Sequence, residues 1–186
     1  MDSKSLPQHL YYPHLQVGQR YEYNGAGLAL AGKVIEAVSG EALPQFYHRH
    51  LLEPLGATHT DVTTMSWDTV STPLDIAKIG QMLLNGGAYA GWRFFSEDTL
   101  RLMLPERLTR VLGPDAVEEY GIGISWFCGE GLGEGTFGHG AASASTLRID
   151  PANELVIVMA RNEAGANFET YHPQFLQMIV EGIDAE

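Results

Sequence analysis

Two phenols stand before a run of small residues in "RYEYNGAGLALAGK", Arg20 to Lys33, and one imidazole stands among glycines in "FGHGAAS", Phe137 to Ser143. A tyrosine with an ordinary pKa of about 10 relays protons at neutral pH only with cations beside it. The plainer use of Tyr23, or of Tyr21, is as a half-buried aromatic whose hydroxyl bonds the backbone. His139 could donate to a phenol or to a developing oxyanion, or could be a satisfied strand residue. Ser143 and Ser145 would need an activating base one hydrogen bond away, and "AASAS" lacks the G-x-S-x-G elbow. In "HRH", His48 and His50 lie two apart on an expected helix and so point in different directions, unlike the i, i+4 pair of a zinc helix. "GEGLGEGTFGHG" is glycine-rich but has no Lys-Ser/Thr and no following helix, so it reads as a loop and not as a phosphate cradle. Cys128 is the single cysteine, which excludes an internal disulfide and a thiolate metal cluster. Neither a metal nor a cofactor is expected.

These groups need elements to hold them. Residues 1–20 carry Pro7, Pro13 and Gly18 without a period and read as a lead-in loop. From Ala26 to Val38, Leu28, Ala31, Val34, Ile35 and Val38 recur at helical spacing, with Gly40 as the stop. A second helix is expected over Leu43 to Leu52, ended by Pro54. "STPLDIAKIGQMLLNGG" gives the clearest helix, with Thr72 as N-cap, Pro73 at the first position and "NGG" as the stop. "SEDTLRLML" repeats the start signal, with Ser96 as cap and two acids in the first turn. The aromatics after "NGG", namely Tyr89, Trp92, Phe94 and Phe95, read as core.

The period then changes to two. Tyr120 to Phe127, Ser143 to Ile149 and Leu155 to Arg161 read as strands, the last two joined by "DPANE", and a closing helix covers Pro173 to Ile183. The order is α+β: a helical region (21–115), then a three-strand antiparallel meander with its closing helix (116–186). The strand "LVIVMA" is apolar on both faces, as for a strand covered on both sides, yet the hairpin supplies it one partner. An apolar edge strand invites another strand, from this chain's own kind or from a partner chain.

Composition narrows the function. With 186 residues, 45% hydrophobic and 18% charged, the chain can bury a sizeable core. A net charge of -12 repels phosphate backbones, so nucleic acid is not an expected partner. No apolar run approaches the roughly 20 residues of a membrane span. The start "MDSKSLPQHL" lacks the basic-then-apolar pattern of a secretory signal, which implies a cytoplasmic protein if Met1 is the natural start.

Three ordered segments resemble the serine β-lactamase and penicillin-binding-protein-like family, in its class C β-lactamase, D-aminopeptidase and esterase branch. "YNGAGLALAGKVIEAVSGEALPQFYHRHLLEPLGATHT" resembles the stretch Y-S-N-x-G, L-L-G, V-S-G, P-L-G-M-x-x-T. "VSTPLDIAKIGQMLLNGGAYAGWRFFSEDTLRLML" resembles the S-T-x-x-D-L-x-x-F helix, the N-G-G turn and the next helix. "TFGHGAASASTLRIDPANELVIVMARN" resembles the G-H-x-G strand and its neighbour. The resemblance implies acyl transfer to a serine, with Tyr23 as the proton-relaying phenol and His139 at the strand edge that binds the acyl side. It implies substrate contacts from Asn24, Gly140 and Ala141, and a small ester or amide as substrate. Gly25 stands where the family has asparagine, and Ala141 where it has glycine. The H-x-G form leans towards an esterase or peptidase.

The family nucleophile is the serine of S-x-x-K, which shares a helix face with its lysine. Three residues before Lys4, Lys33 and Lys78 stand Met1, Leu30 and Asp75, so the motif is not in these residues. In the family sheet, strands from the amino-terminal end lie beside the last carboxy-terminal strand, here Leu155 to Arg161. The chain therefore reads as the carboxy-terminal part of the fold, inactive alone: truncated, split from a partner, or a self-associating remnant.

Overall fold

The computed structural model describes residues 23, 25–67, 69–127 and 131–183. Helix α1 (Gly25–Ser39) ends at Gly40, whose positive φ of 72° a residue with a side chain rarely adopts. The following helix does not stop before Pro54. It runs as α2 (Leu43–Tyr47), a π-helical turn (His48–Leu52) and α3 (Glu53–Leu55). Proline cannot donate and clashes with the carbonyl four residues back, and here the helix widens to i→i+5 bonding just before it. The chain then leaves at Gly56, in the left-handed region with φ 64°.

Helix α4 (Pro73–Leu84) starts as its sequence implies, with Thr72 Oγ1 accepting from the Asp75 N–H. Asp75 is itself buried and accepts from the His59 N–H, the Thr60 hydroxyl and Lys78 Nζ. The Lys78 bond holds its carboxyl below the usual range against the opposing effect of burial. Lys78 also donates to the Gly56 carbonyl, so the two side chains pin the 56–60 loop to α4. After α4 come the short hairpin β1 (Ala88–Tyr89) and β2 (Trp92–Arg93), then α5 (Glu97–Met103), capped by Ser96 as expected. Tyr89, Phe94 and Phe95 pack against the core, whereas Trp92 is 62% exposed.

The expected strand Tyr120 to Phe127 is two strands. β3 (Glu106–Arg107) precedes the short α6 (Thr109–Leu112) and pairs with β4 (Glu119–Tyr120), while β5 (Ser125–Trp126) joins a different sheet. Two glycines make the break. A Cβ on Gly121 would lie 2.5 Å from the Met103 carbonyl oxygen, and Gly123 has φ 71°.

The main sheet has four antiparallel strands in the order β5, β6 (Phe137–Gly140), β7 (Thr146–Asp150) and β8 (Leu155–Met159). β7 begins three residues later than the alternation suggests. Ala144 has φ 62° and closes a turn in which the Ala144 N–H donates to Ala141 O. Phe137 pairs with Ile149, His139 with Leu147, Leu147 with Val158 and Ile149 with Val156, so these side chains share one face. α4 lies on that face. A Cβ on Gly80 would be 2.5 Å from Val156 and 3.0 Å from Leu147, so only glycine allows this approach. The core joins both parts: Leu52, Leu55, Met82 and Leu83 from the helices meet Ile124, Phe137 and Ile149 from the sheet.

Thr146, Arg148 and Asp150 point to the opposite face, where α7 (Phe168–Ile183) packs. Its His172 is buried and lies 3.3 Å from Thr146 Oγ1. This helix starts five residues before Pro173, which lies inside it and forgoes the bond to the Glu169 carbonyl. Asp150 is fully buried. Burial favours its neutral form, but bonds from the Gly133, Asn153 and Ala152 backbones and the Asn153 side chain outweigh that and lower its pKa.

β8 has α4 on one face, through Val156, and on the other Ile157 is buried. Its outer edge pairs with no strand among the described residues. Substituting Gly80→Val should destabilise the protein by about 1–3 kcal/mol in urea unfolding, because the added methyls collide with Val156 and Leu147. An unchanged midpoint would show that α4 does not depend on that approach.

Candidate active site

The segment Tyr120–Ile124 links the two halves of the expected site. The Tyr23 ring meets the Tyr120 ring edge-on at a centroid separation of 5.9 Å. Three residues on, the Gly123 backbone hydrogen-bonds the His139 ring. The segment is held from beneath by the Ile122 N–H donating to Met103 O at 2.8 Å. Tyr23 and His139 thus flank one short glycine-bent loop, and no direct contact between them is observed. Both are solvent-accessible, Tyr23 at 55%.

His139 lies on β6 and faces the same side as Leu147, towards the helices. Loss of hydration pushes its pKa down; the Gly123 backbone bond opposes this, and the positive charge of Arg148 reinforces it. A ring so placed is an imidazole that donates or accepts a hydrogen bond. Gly140 and Ala141 follow it on the exposed end of the strand, and nothing lies within 4 Å of a Cβ built on Gly140, so this edge is open. Asn24 and Tyr21 lie outside the described residues, as does Cys128.

Gly25 opens α1. A Cβ there would lie 3.2 Å from Ser66 Cβ and 3.2 Å from the Trp67 ring, so a side chain at this position would need those neighbours to give way by a few tenths of an ångström. The Ser66 hydroxyl is buried beside it without a hydrogen-bond partner among the described residues.

Ser145 is committed to structure. Its Oγ donates to Arg161 O and accepts from the Arg161 N–H, both at 2.9 Å, and also accepts from Ser143 Oγ at 3.1 Å. No donor or lone pair is left for attack on a substrate. His48 and His50 sit on the π-helical turn, with His50 Nε2 3.2 Å from Glu41 and His48 Nδ1 4.0 Å from Glu53. Among the described residues no group of three or more metal-binding side chains forms.

The sequence reading did not single out Tyr120, Gly123 or Arg148. The G-x-G at Gly121 to Gly123 inside an apparent strand was the available signal for the first two. For Arg148 the signal was a lone cation in the middle of the strand "TLRID".

Comparison with known proteins identifies the family and the fold. The family model "Beta-lactamase" matches residues 8–176. The "Putative D-alanyl-D-alanine carboxypeptidase" of Escherichia coli O157:H7 is 22% identical over an alignment of 209 positions, covering 80% of this chain and 46% of that protein. Two solved structures share the fold. The "Putative 6-aminohexanoate-dimer hydrolase" from Bacillus anthracis has a TM-score of 0.70 at 22% identity, over 90% of this chain and 45% of that one. The octameric penicillin-binding protein homologue from Pyrococcus abyssi has a TM-score of 0.68 at 22% identity, over 88% of this chain and 43% of that one. The chain therefore spans less than half the length of each of these three proteins.

Ser145→Ala should lower stability by about 0.5–1.5 kcal/mol in urea unfolding, because both Arg161 backbone groups lose their partner. No loss of stability would show that Ser145 does not tie the hairpin to Arg161. With the family model spanning nearly the whole sequence and solved relatives sharing the fold, this chain belongs to the Beta-lactamase family.

Proposed function

We propose that these residues are the carboxy-terminal part of a serine hydrolase of the β-lactamase type, esterase or peptidase in kind, whose nucleophile lies outside them. One observation carries the reading. Tyr23 and His139, the two positions matched to family site motifs, converge on the loop Tyr120–Ile124 from distant parts of the sequence. The three proteins compared above, of which this chain spans under half, are consistent with an incomplete domain.

In the completed protein a serine oxygen attacks the carbonyl carbon of a small ester or amide, and an acyl-serine ester forms as the alcohol or amine departs. Tyr23 carries the proton from the serine to the leaving group. His139 hydrogen-bonds the acyl side or the oxyanion, Gly140 and Ala141 contact the substrate, and Asn24 is a further substrate contact by the family resemblance alone. Water then cleaves the ester and restores the serine. With glycine at position 25, no side-chain amide stands where the family has asparagine, which sets this site apart from the family pattern.

A second reading is a non-catalytic remnant that associates with itself or with a partner chain. The edge of β8, which pairs with no strand among the described residues, favours it, since strand addition there would continue the sheet. The two readings separate with a chromogenic ester. The chain alone should turn over nothing above buffer, and joined to an upstream S-x-x-K segment it should hydrolyse the ester. In that completed protein Tyr23→Phe should lower turnover by about 10²–10⁴-fold. Turnover by this chain alone, or an unaffected Tyr23→Phe, would contradict the hydrolase reading. A completed protein that stays inactive while the chain elutes as a dimer or larger would favour the remnant.

A further inference from the structure

Arg148 is 4% exposed in the middle of β7, a costly place for a charge that cannot be given up. Its guanidinium carbon lies 3.4 Å from the centroid of the Phe127 ring, a close cation–π contact. Nη1 donates to the carbonyl of His139 at 3.3 Å and to Leu147 O at 3.2 Å. The cross-strand partner of Arg148 is Gly138, which has no side chain, so the arginine can lie across β6 and reach its backbone. The imidazole of His139 points to the α4 face and Arg148 to the α7 face. The cation therefore sits behind the strand whose front edge carries the candidate site.

We infer that Arg148 is a positioning residue for that edge: its guanidinium clamps the His139 main chain from behind the sheet and sets a fixed positive charge against the imidazole. A site histidine held this way works as a neutral hydrogen-bonding group, not as the cation that a lysine would be in the same place. Among the described residues, the strands paired with β6 and the bend beside it present no other charged side chain on the His139 face. β5 contributes Ser125 and Trp126, β7 contributes Leu147 and the bend contributes Gly121 to Ile124. The titratable phenols of Tyr120 and Tyr23 adjoin the same bend. The field of Arg148 and the loss of hydration both disfavour the imidazolium, and the Gly123 bond alone opposes them.

The inference takes from the proposed function only that the His139 edge belongs to the site, and its test reads His139 directly. The histidine ring resonances of the full chain are followed by NMR against pH, with His139 assigned by its loss in His139→Gln. Arg148→Met keeps length and burial but removes the charge, so the His139 midpoint should move up. Arg148→Lys keeps the charge, so the midpoint should stay near that of the parent. The clamp is read by hydrogen exchange at the Ala141 amide, which bonds Ser145 O at 2.9 Å and should exchange faster in Arg148→Met. If Arg148→Met does not give a dispersed spectrum, Arg148→Gln takes its place with the same expected shift. An unmoved midpoint in the neutral variant, or an equal rise in Arg148→Lys, overturns the electrostatic role. Unchanged Ala141 exchange overturns the clamp. An inactive completed enzyme with the expected titration would refute the hydrolase reading and leave the role of Arg148 standing.

Discussion

The contact between α4 and the sheet at Gly80 is the constraint on which the rest of the molecule depends. Any side chain there would overlap Val156 and Leu147, and without the close approach the helical region and the sheet would not share a core. The helix is fixed at its start by the Thr72 cap and held to the 56–60 loop by Asp75 and Lys78. Strand β6 is thereby held at a set distance from the helices, and its His139 faces the gap between them.

Within that frame, glycine and arginine shape the site from opposite sides. Gly121 and Gly123 break what would have been one strand and turn the chain so that Tyr120 meets Tyr23 while Gly123 meets His139. Arg148 holds the strand from behind, buried against Phe127. Desolvating this cation is a cost that packing alone would not require, since an apolar residue of similar volume would fill the same space. The site is thus supported from a strand that it does not itself use.

Much of this was legible in the sequence because it is local. The caps at Thr72 and Ser96 are set by side chains within a turn of the groups they satisfy, and both helices start where those residues stand. The doubly covered strand β8 was visible from its apolar run, whereas β6 was implied only by the family motif, since "GEGLGEGTFGHG" by itself reads as a loop and its last four residues form a fourth strand beside the three expected. What escaped was tertiary. Pro54 looked like a stop, but the backbone absorbs it by widening into a π-helical turn. The break at Gly121 depends on the Met103 carbonyl pressing from a distant helix. The sequence argued against Ser145 as a nucleophile for want of an elbow motif, but not for the bonds that tie its oxygen to Arg161, sixteen residues away. Tyr23 and His139 could be matched to family positions, whereas the loop that both touch could not be inferred from either.

The central claim is that a hydrolase's supporting phenol and imidazole are present while the attacking serine is not among these residues. Intact-mass measurement after incubation with a fluorophosphonate tests it most directly, since the reagent bonds only to an activated hydroxyl. The account predicts that this chain keeps its unmodified mass under conditions that label a serine hydrolase completely. A single stoichiometric adduct on one of its own side chains would contradict it.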